Sequence, residues 1–180
     1  MQHDIEEVLI SSEQIDQRVQ ELGKEISDLY KGEDLLLVCI LKGGVMFLAD
    51  LARAISIPCQ LDFMAVSSYG AATETSGIVR ILKDLDKSIE GKHVLLVEDV
   101  VDTGLTLEYL VKNLQNRKPA SLKICSLLNK RANRKVEIPV DLIGFEIPDK
   151  FVVGYGLDYA GHYRHLPYVA VLKNEIYNRQ

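Results

Sequence analysis

The chain reads as an α/β protein built on a mainly parallel, twisted sheet flanked by helices. Three observations predict this class. The runs Leu35-Leu36-Leu37-Val38-Cys39-Ile40-Leu41 and Val94-Leu95-Leu96-Val97 lack polar alternation, as strands buried on both faces do. Segments with apolar residues at helical spacing separate such runs, and that alternation implies parallel connections. The turns Lys42-Gly43-Gly44 and Asp102-Thr103-Gly104 stand where a strand gives way to a helix, the end at which such sheets bind ligands.

In chain order, Ile15, Val19, Leu22, Ile26 and Leu29 share one face of an amphipathic helix over residues 11–30. Ser11 or Ser12 caps it, and it ends near Gly32. A buried strand over 35–41 leads through Lys42-Gly43-Gly44 into an apolar helix over 45–55. Those glycines either merely permit the turn, or let the backbone N–H groups of Lys42 and Gly43 face an anion. A strand over 58–66 precedes Ser67-Ser68-Tyr69-Gly70-Ala71-Ala72-Thr73-Glu74-Thr75-Ser76-Gly77, too small and polar to pack a core. It is either a plain exposed loop or a lid. Residues 78–83 form the returning strand, and 120–128, 141–145 and 169–172 read as further strands. One domain is expected over 1–180, with a core over about 34–138. A small C-terminal hood takes about 139–180 with part of the N-terminus.

A formal net charge of -5 and a pI near 5.4 leave no general footprint for nucleic acid or an anionic membrane. No apolar run approaches the roughly 18 residues of a membrane span, and the polar N-terminus has no leader pattern. The expected compartment is the cytoplasm. Cys39, Cys59 and Cys125 lie in apolar runs and read as buried reduced thiols. His3, His93, His162 and His165 form no ligand pattern and read as surface residues.

The centre of the chain is Val94-Leu95-Leu96-Val97-Glu98-Asp99-Val100-Val101-Asp102-Thr103-Gly104-Leu105-Thr106. A strand ends in an acidic edge and a tight turn, and a helix follows. The first N–H groups of a helix lack internal partners and suit a phosphate. Gly104 allows close approach, and Thr103 and Thr106 add hydroxyls. Glu98, Asp99 and Asp102 would repel a bare phosphate, so they must face something else on the same ligand: sugar hydroxyls, a divalent cation or a proton to be removed. The plainer reading is an ordinary α/β turn capped by Asp102 or Thr103.

This stretch resembles the phosphoribosyl-diphosphate loop of the purine phosphoribosyltransferases. From about residue 5 to near the C-terminus, the chain is similar to the bacterial hypoxanthine and hypoxanthine-guanine members of the type I phosphoribosyltransferase family. The resemblance implies the type I fold and magnesium-dependent transfer of phosphoribosyl from 5-phosphoribosyl 1-diphosphate to a 6-oxopurine, hypoxanthine or guanine. Residues 102–106 (Asp102, Thr103, Gly104, Leu105 and Thr106) would grip the 5'-phosphate. Glu98 and Asp99 would hold the ribose hydroxyls directly or through Mg2+. Leu41, Lys42 and Gly43 match the pyrophosphate loop, where the Leu41–Lys42 peptide can be cis, and Arg164 matches a pyrophosphate-contacting arginine. Asp102 matches the general base that takes the proton from purine N7. Lys130 matches the donor to the purine 6-oxygen. Phe151 would stack on the base and Val152 bond it through the backbone, and Asp158 would hold a second magnesium through water or approach the 2-substituent. Ser68 and Tyr69 match the lid's Ser-Tyr pair. A homodimer or homotetramer is implied, with no nucleic acid or membrane partner. Two alternatives stay open. The related pyrimidine regulators, which bind RNA, share the loop but carry an aromatic at the position of Asp102, and a transferase for another base is disfavoured by Lys130 and the Phe151-Val152 pair.

Overall fold

The sheet takes its shape from which apolar runs must be covered twice. The computed structural model describes residues 2–68 and 79–177. After a short 3-10 turn, the elements in order are β1 (Ile5–Ile10), α1 (Ser12–Leu29), β2 (Leu35–Leu41), α2 (Val45–Ala54), β3 (Cys59–Ser68), β4 (Val79–Lys83), β5 (His93–Val101), α3 (Leu105–Gln115), β6 (Ser121–Asn129), β7 (Leu142–Glu146), β8 (Val152–Val153), β9 (Val169–Leu172) and α4 (Asn174–Tyr177).

Six strands form one sheet in the order β4-β3-β2-β5-β6-β7, parallel except for β4. Successive residues of β2 feed opposite faces. Leu35, Leu37 and Cys39 join Leu95, Val97 and Leu127 under α1 and α2. Leu36, Val38 and Ile40 join Val94, Leu96 and Ile124 under the Leu107-Leu110-Leu114 stripe of α3. From β2 the chain winds one way to β3, and from β5 the other way to β6. The order therefore reverses between β2 and β5, a topological switch point whose carboxyl ends flank a crevice.

Local signals set the helix positions. Ser11 caps α1 in a reciprocal box: its hydroxyl accepts from the Gln14 N–H, and the Gln14 side chain accepts from the Ser11 N–H. A Cβ on Gly23 would come within 2.6 Å of the Ala54 Cβ, so α1 and α2 cross at a bare backbone. The helix after the central turn is capped by neither Asp102 nor Thr103. Its N-cap is Gly104 at φ 83°, without a side-chain cap bond, because the turn needs a left-handed residue there.

The small sheet has the order β1-β9-β8, all antiparallel. The N-terminal strand β1 is thus a full partner of the last strand. β7 belongs to the large sheet, although its residues fall within the expected hood. It pairs with β6 from Cys125↔Leu142 to Asn129↔Glu146. Gly144 permits this: a Cβ there would lie 2.4 Å from the Leu127 carbonyl oxygen. Arg18 of α1 also donates to the carbonyls of Ile143 and Gly144 at 2.8 and 3.3 Å. Two minor expectations shift as well. Cys59 is only half-buried. His93 is not a plain surface residue, since its ring sits between the Ser121 hydroxyl at 2.8 Å and the Glu33 carboxylate at 3.2 Å.

Gly144→Ala is expected to cost about 1–3 kcal/mol of stability by overpacking. A urea-unfolding comparison with wild type reads it, and an unchanged midpoint would mean β7 does not lie against Leu127 as described.

Candidate active site

At the switch point the carboxyl end of β5 supplies three acids in five residues. Glu98 is buried, while Asp99 and Asp102 are half-buried. Strand alternation sends the first two to different places. Glu98 lines a cavity of about 210 Å³ with Ile40, Asp102, Thr103, Gly104 and Thr106. Asp99 turns toward the β2–α2 connection, where a Cβ on Gly43 would lie only 1.6 Å from its Oδ2. No residue but glycine fits at 43 with Asp99 in place. Burial raises the Glu98 carboxyl well above its ordinary range, and the Asp99 charge adds to this. Burial raises Asp99 too, against the hydrogen bond from the Val100 N–H at 2.8 Å and the nearby Arg164 charge.

The turn beyond them is open for an anion. The first α3 ladder bond runs from the Glu108 N–H to the Gly104 carbonyl at 2.8 Å. The N–H groups of Thr106 and Leu107 precede the ladder, and that of Leu105 has only a long 3.5 Å contact with the Thr103 hydroxyl.

Asp102 faces Lys130 across the ends of β5 and β6, with 4.0 Å between Oδ2 and Nζ. The Lys130 N–H bonds the Val101 carbonyl at 2.9 Å, which fixes where this buried lysine starts. The other Asp102 oxygen, Oδ1, is buried with no hydrogen-bond partner among the described residues. An unpaired buried acceptor is costly unless a ligand donor meets it.

The opposite wall comes from the hood. The Leu41–Lys42 peptide is cis, Lys42 is exposed and Gly43 is buried. A Cβ on Gly156 would lie 2.0 Å from the Gly43 carbonyl oxygen, so two glycine backbones touch where hood meets core. Arg164 donates to the Gly156 carbonyl at 2.6 Å and pairs with Asp158 at 2.7 Å. The second Asp158 oxygen accepts from the Gly161 N–H at 2.8 Å, so Asp158 is already an internal anchor. Tyr155 extends the seam, donating its hydroxyl to Asp50 of α2 at 2.6 Å. Val152 is buried in the small sheet. Phe151 is exposed, but its ring already has two partners, Tyr177 stacked at 4.9 Å and Tyr159 edge-on at 5.7 Å. Ser68 ends β3, and Tyr69 lies outside the described residues.

Sequence reasoning did not single out Asn129, Arg134, Glu146 or Asp50 as neighbours of this site. Gly154-Tyr155-Gly156, a tyrosine between two glycines, was a visible signal for the seam. Among the described residues no group of three His, Cys, Asp or Glu could hold a metal ion. The donors that exist, the buried Glu98 in the cavity and the half-buried Asp99 facing Gly43, fit a cation that takes most of its ligands from water and substrate, as Mg2+ does.

Tyr155→Phe is expected to lower stability by about 1–2 kcal/mol, the loss of a charge-assisted hydrogen bond to a partly exposed acid. Thermal unfolding reads it, and an unshifted midpoint would remove the seam's anchoring role.

A model of the phosphoribosyl transferase domain matches residues 10–160. The hypoxanthine-guanine phosphoribosyltransferase of Mycobacterium avium is 53% identical, over 98% of this chain and 90% of that protein. Its Bacillus subtilis counterpart is 52% identical, over 98% of each. The crystal structure of a hypoxanthine phosphoribosyltransferase from Staphylococcus aureus aligns with a TM-score of 0.96 at 48% identity, covering 98% of this chain and 96% of that one. Likeness of this extent, over nearly the whole chain, makes the assignment plain: the chain belongs to the phosphoribosyl transferase family, among the hypoxanthine-guanine phosphoribosyltransferases.

Proposed function

We propose that this enzyme transfers the 5-phosphoribosyl group from 5-phosphoribosyl 1-diphosphate to N9 of hypoxanthine or guanine. The products are IMP or GMP and pyrophosphate, and the reaction salvages free purines. The observation that carries the reading is the Asp102–Lys130 pair beside the open turn. A 6-oxopurine with its proton on N7 presents an acceptor and a donor side by side on one edge. An ammonium and a carboxylate on adjoining strands complement that edge. Adenine would turn an amino group toward the ammonium, leaving two donors face to face.

The turn from Asp102 to Thr106 holds the 5'-phosphate through its unpaired N–H groups. Glu98 and Asp99 receive the ribose hydroxyls. As the glycosidic bond breaks, the sugar gains oxocarbenium character, and these fixed carboxylates stabilise the positive charge. Glu98 and Asp99 would also hold Mg2+ through the sugar hydroxyls, and Asp158 would hold a second Mg2+ through water or approach the purine's 2-substituent. Bound there, the metal would supply positive charge against the leaving pyrophosphate. The backbone at Leu41, Lys42 and Gly43 faces that leaving group. Arg164 reaches it by exchanging its bond to the Gly156 carbonyl for a phosphate oxygen. Asp102, whose Oδ2 faces Lys130 and whose side chain is half-exposed, takes the N7 proton. Lys130 donates to the 6-oxygen, Val152 bonds the base through its backbone, and Phe151 stacks on it in place of one of its present ring neighbours, Tyr159 or Tyr177. Ser68 and Tyr69 belong to the lid that closes over the reacting centre.

The same reading puts the enzyme in the cytoplasm, and no helix among the described residues is long and apolar enough to cross a membrane. It also takes the chain to be a homodimer or homotetramer. Leu61 and Leu82, exposed on the adjoining strands β3 and β4, are apolar surface that assembly could cover.

An absorbance assay with 5-phosphoribosyl 1-diphosphate, Mg2+ and each of hypoxanthine, guanine, xanthine, adenine and uracil tests the reading. Nucleotide is expected from hypoxanthine or guanine and not from adenine or uracil. Silence with every purine from folded protein overturns it. Asp102→Asn is expected to lower kcat by about 10²–10⁴-fold, with KM for the purine little changed, because an amide cannot take the proton. Equal kinetics would remove the general-base role.

A further inference from the structure

A second cavity, of about 330 Å³, opens beside Asn129, the residue before Lys130. Its wall includes Asn129, Arg131 and Arg134, the surroundings of Lys130 that the reaction leaves unused. Asn129 and Val101 are register partners, the last pair of the β5–β6 ladder before Asp102 and Lys130. Arg134 returns to this pair. Its Nη2 donates to the Asn129 Oδ1 at 2.5 Å and reaches the Val101 carbonyl at 3.4 Å. The same carbonyl receives the Lys130 N–H at 2.9 Å.

The Asn129 amide has its orientation set from the other side. Its Nδ2 donates to both oxygens of Glu146, at 2.9 and 3.0 Å, so Oδ1 must face Arg134. The residues after Arg134 grip the phosphate turn. The N–H groups of Lys135 and Val136 donate to the Thr103 carbonyl at 2.9 and 3.4 Å. A Cβ on Gly104 would meet Val136 at 3.1 Å and Arg134 Cδ at 3.3 Å. One short segment therefore touches the phosphate turn, the root of Asp102 and the root of Lys130.

We propose that Arg134, oriented by Asn129 and Glu146, is a positioning residue. It holds the phosphate-binding turn and the Asp102–Lys130 pair in one fixed register. The proposal rests on the reading of the reaction given above. Its chemical basis is that the sugar phosphate docks on the turn and the base on the pair. Bond formation between them depends on their relative placement, and a misplacement of about 1 Å can cost about a hundredfold in rate. Both acceptors are met by one nitrogen, Nη2, and the rigid guanidinium plane fixes that donor where a lysine's rotating ammonium would not.

The test measures kcat, both KM values and unfolding temperature for wild type, Arg134→Ala, Arg134→Lys and Glu146→Gln. Arg134→Ala is expected to lower kcat by about ten- to a hundredfold, with neither KM moved by more than a few-fold, since each subsite is intact and only their alignment is lost. Arg134→Lys recovers part of kcat. Glu146→Gln, at a half-exposed carboxylate, keeps the fold and lowers kcat a few-fold in the same KM-sparing way. Should the alanine variant not fold, these two decide. Wild-type kcat with only a lower unfolding temperature would make Arg134 purely structural. A raised KM for 5-phosphoribosyl 1-diphosphate with kcat intact would make it a direct phosphate ligand. Either overturns the proposal while leaving the reaction standing. A wild-type chain that forms no nucleotide removes both.

Discussion

Two strand ends must come so close that one of them can carry no side chain. A Cβ at position 43 would sit 1.6 Å from the Asp99 carboxylate, and a Cβ at 156 would sit 2.0 Å from the Gly43 carbonyl oxygen. Core strand, β2–α2 turn and hood thus meet at two glycines, and several site residues cluster about that contact. Asp99 is held against the β2–α2 turn, Arg164 is drawn to the Gly156 carbonyl, and Asp158 follows Arg164. A sheet that did not reverse its order between β2 and β5 would not bring these ends together.

The electrostatics follow from the same crowding. Glu98 and Asp99 are adjacent and both displaced upward by burial, while Lys130 and Arg164 nearby are paired with Asp102 and Asp158. Under the proposed reaction, the ligand brings hydroxyl donors and a cation to this site. The amides that precede the α3 ladder and the Asp102 carboxylate lie on the same side of it.

Much of this was legible in the chain itself, for physical reasons. β2 and β9 occupy the residues expected because a continuous apolar run leaves a buried strand few alternatives. The Ser11 cap was readable because a capping box is local. Glu98, Asp99 and Asp102 were readable because three acids before a glycine turn need a reason. What escaped was non-local. β1 has the sequence of an exposed segment, and only its pairing with β9 makes it a strand. β7 was assigned to the hood because Gly144 gives no sign of the Leu127 backbone it accommodates. Phe151 looked like a free stacking surface, and Tyr177 covers one side of it from the far end of the chain. Arg134 sits in a polar stretch, and nothing in its neighbours announces that it closes back on Asn129.

The small sheet has a temporal consequence. Its middle strand is β9, while β1 is the first strand of the chain. During synthesis β1 leaves the ribosome early and stays without its hydrogen-bonding partner until β9 follows. The large sheet, complete once β7 has emerged, has no such wait. The order of emergence therefore lets the large sheet's side of the crevice close first, with the small sheet completed last by the pairing of β1 with β9.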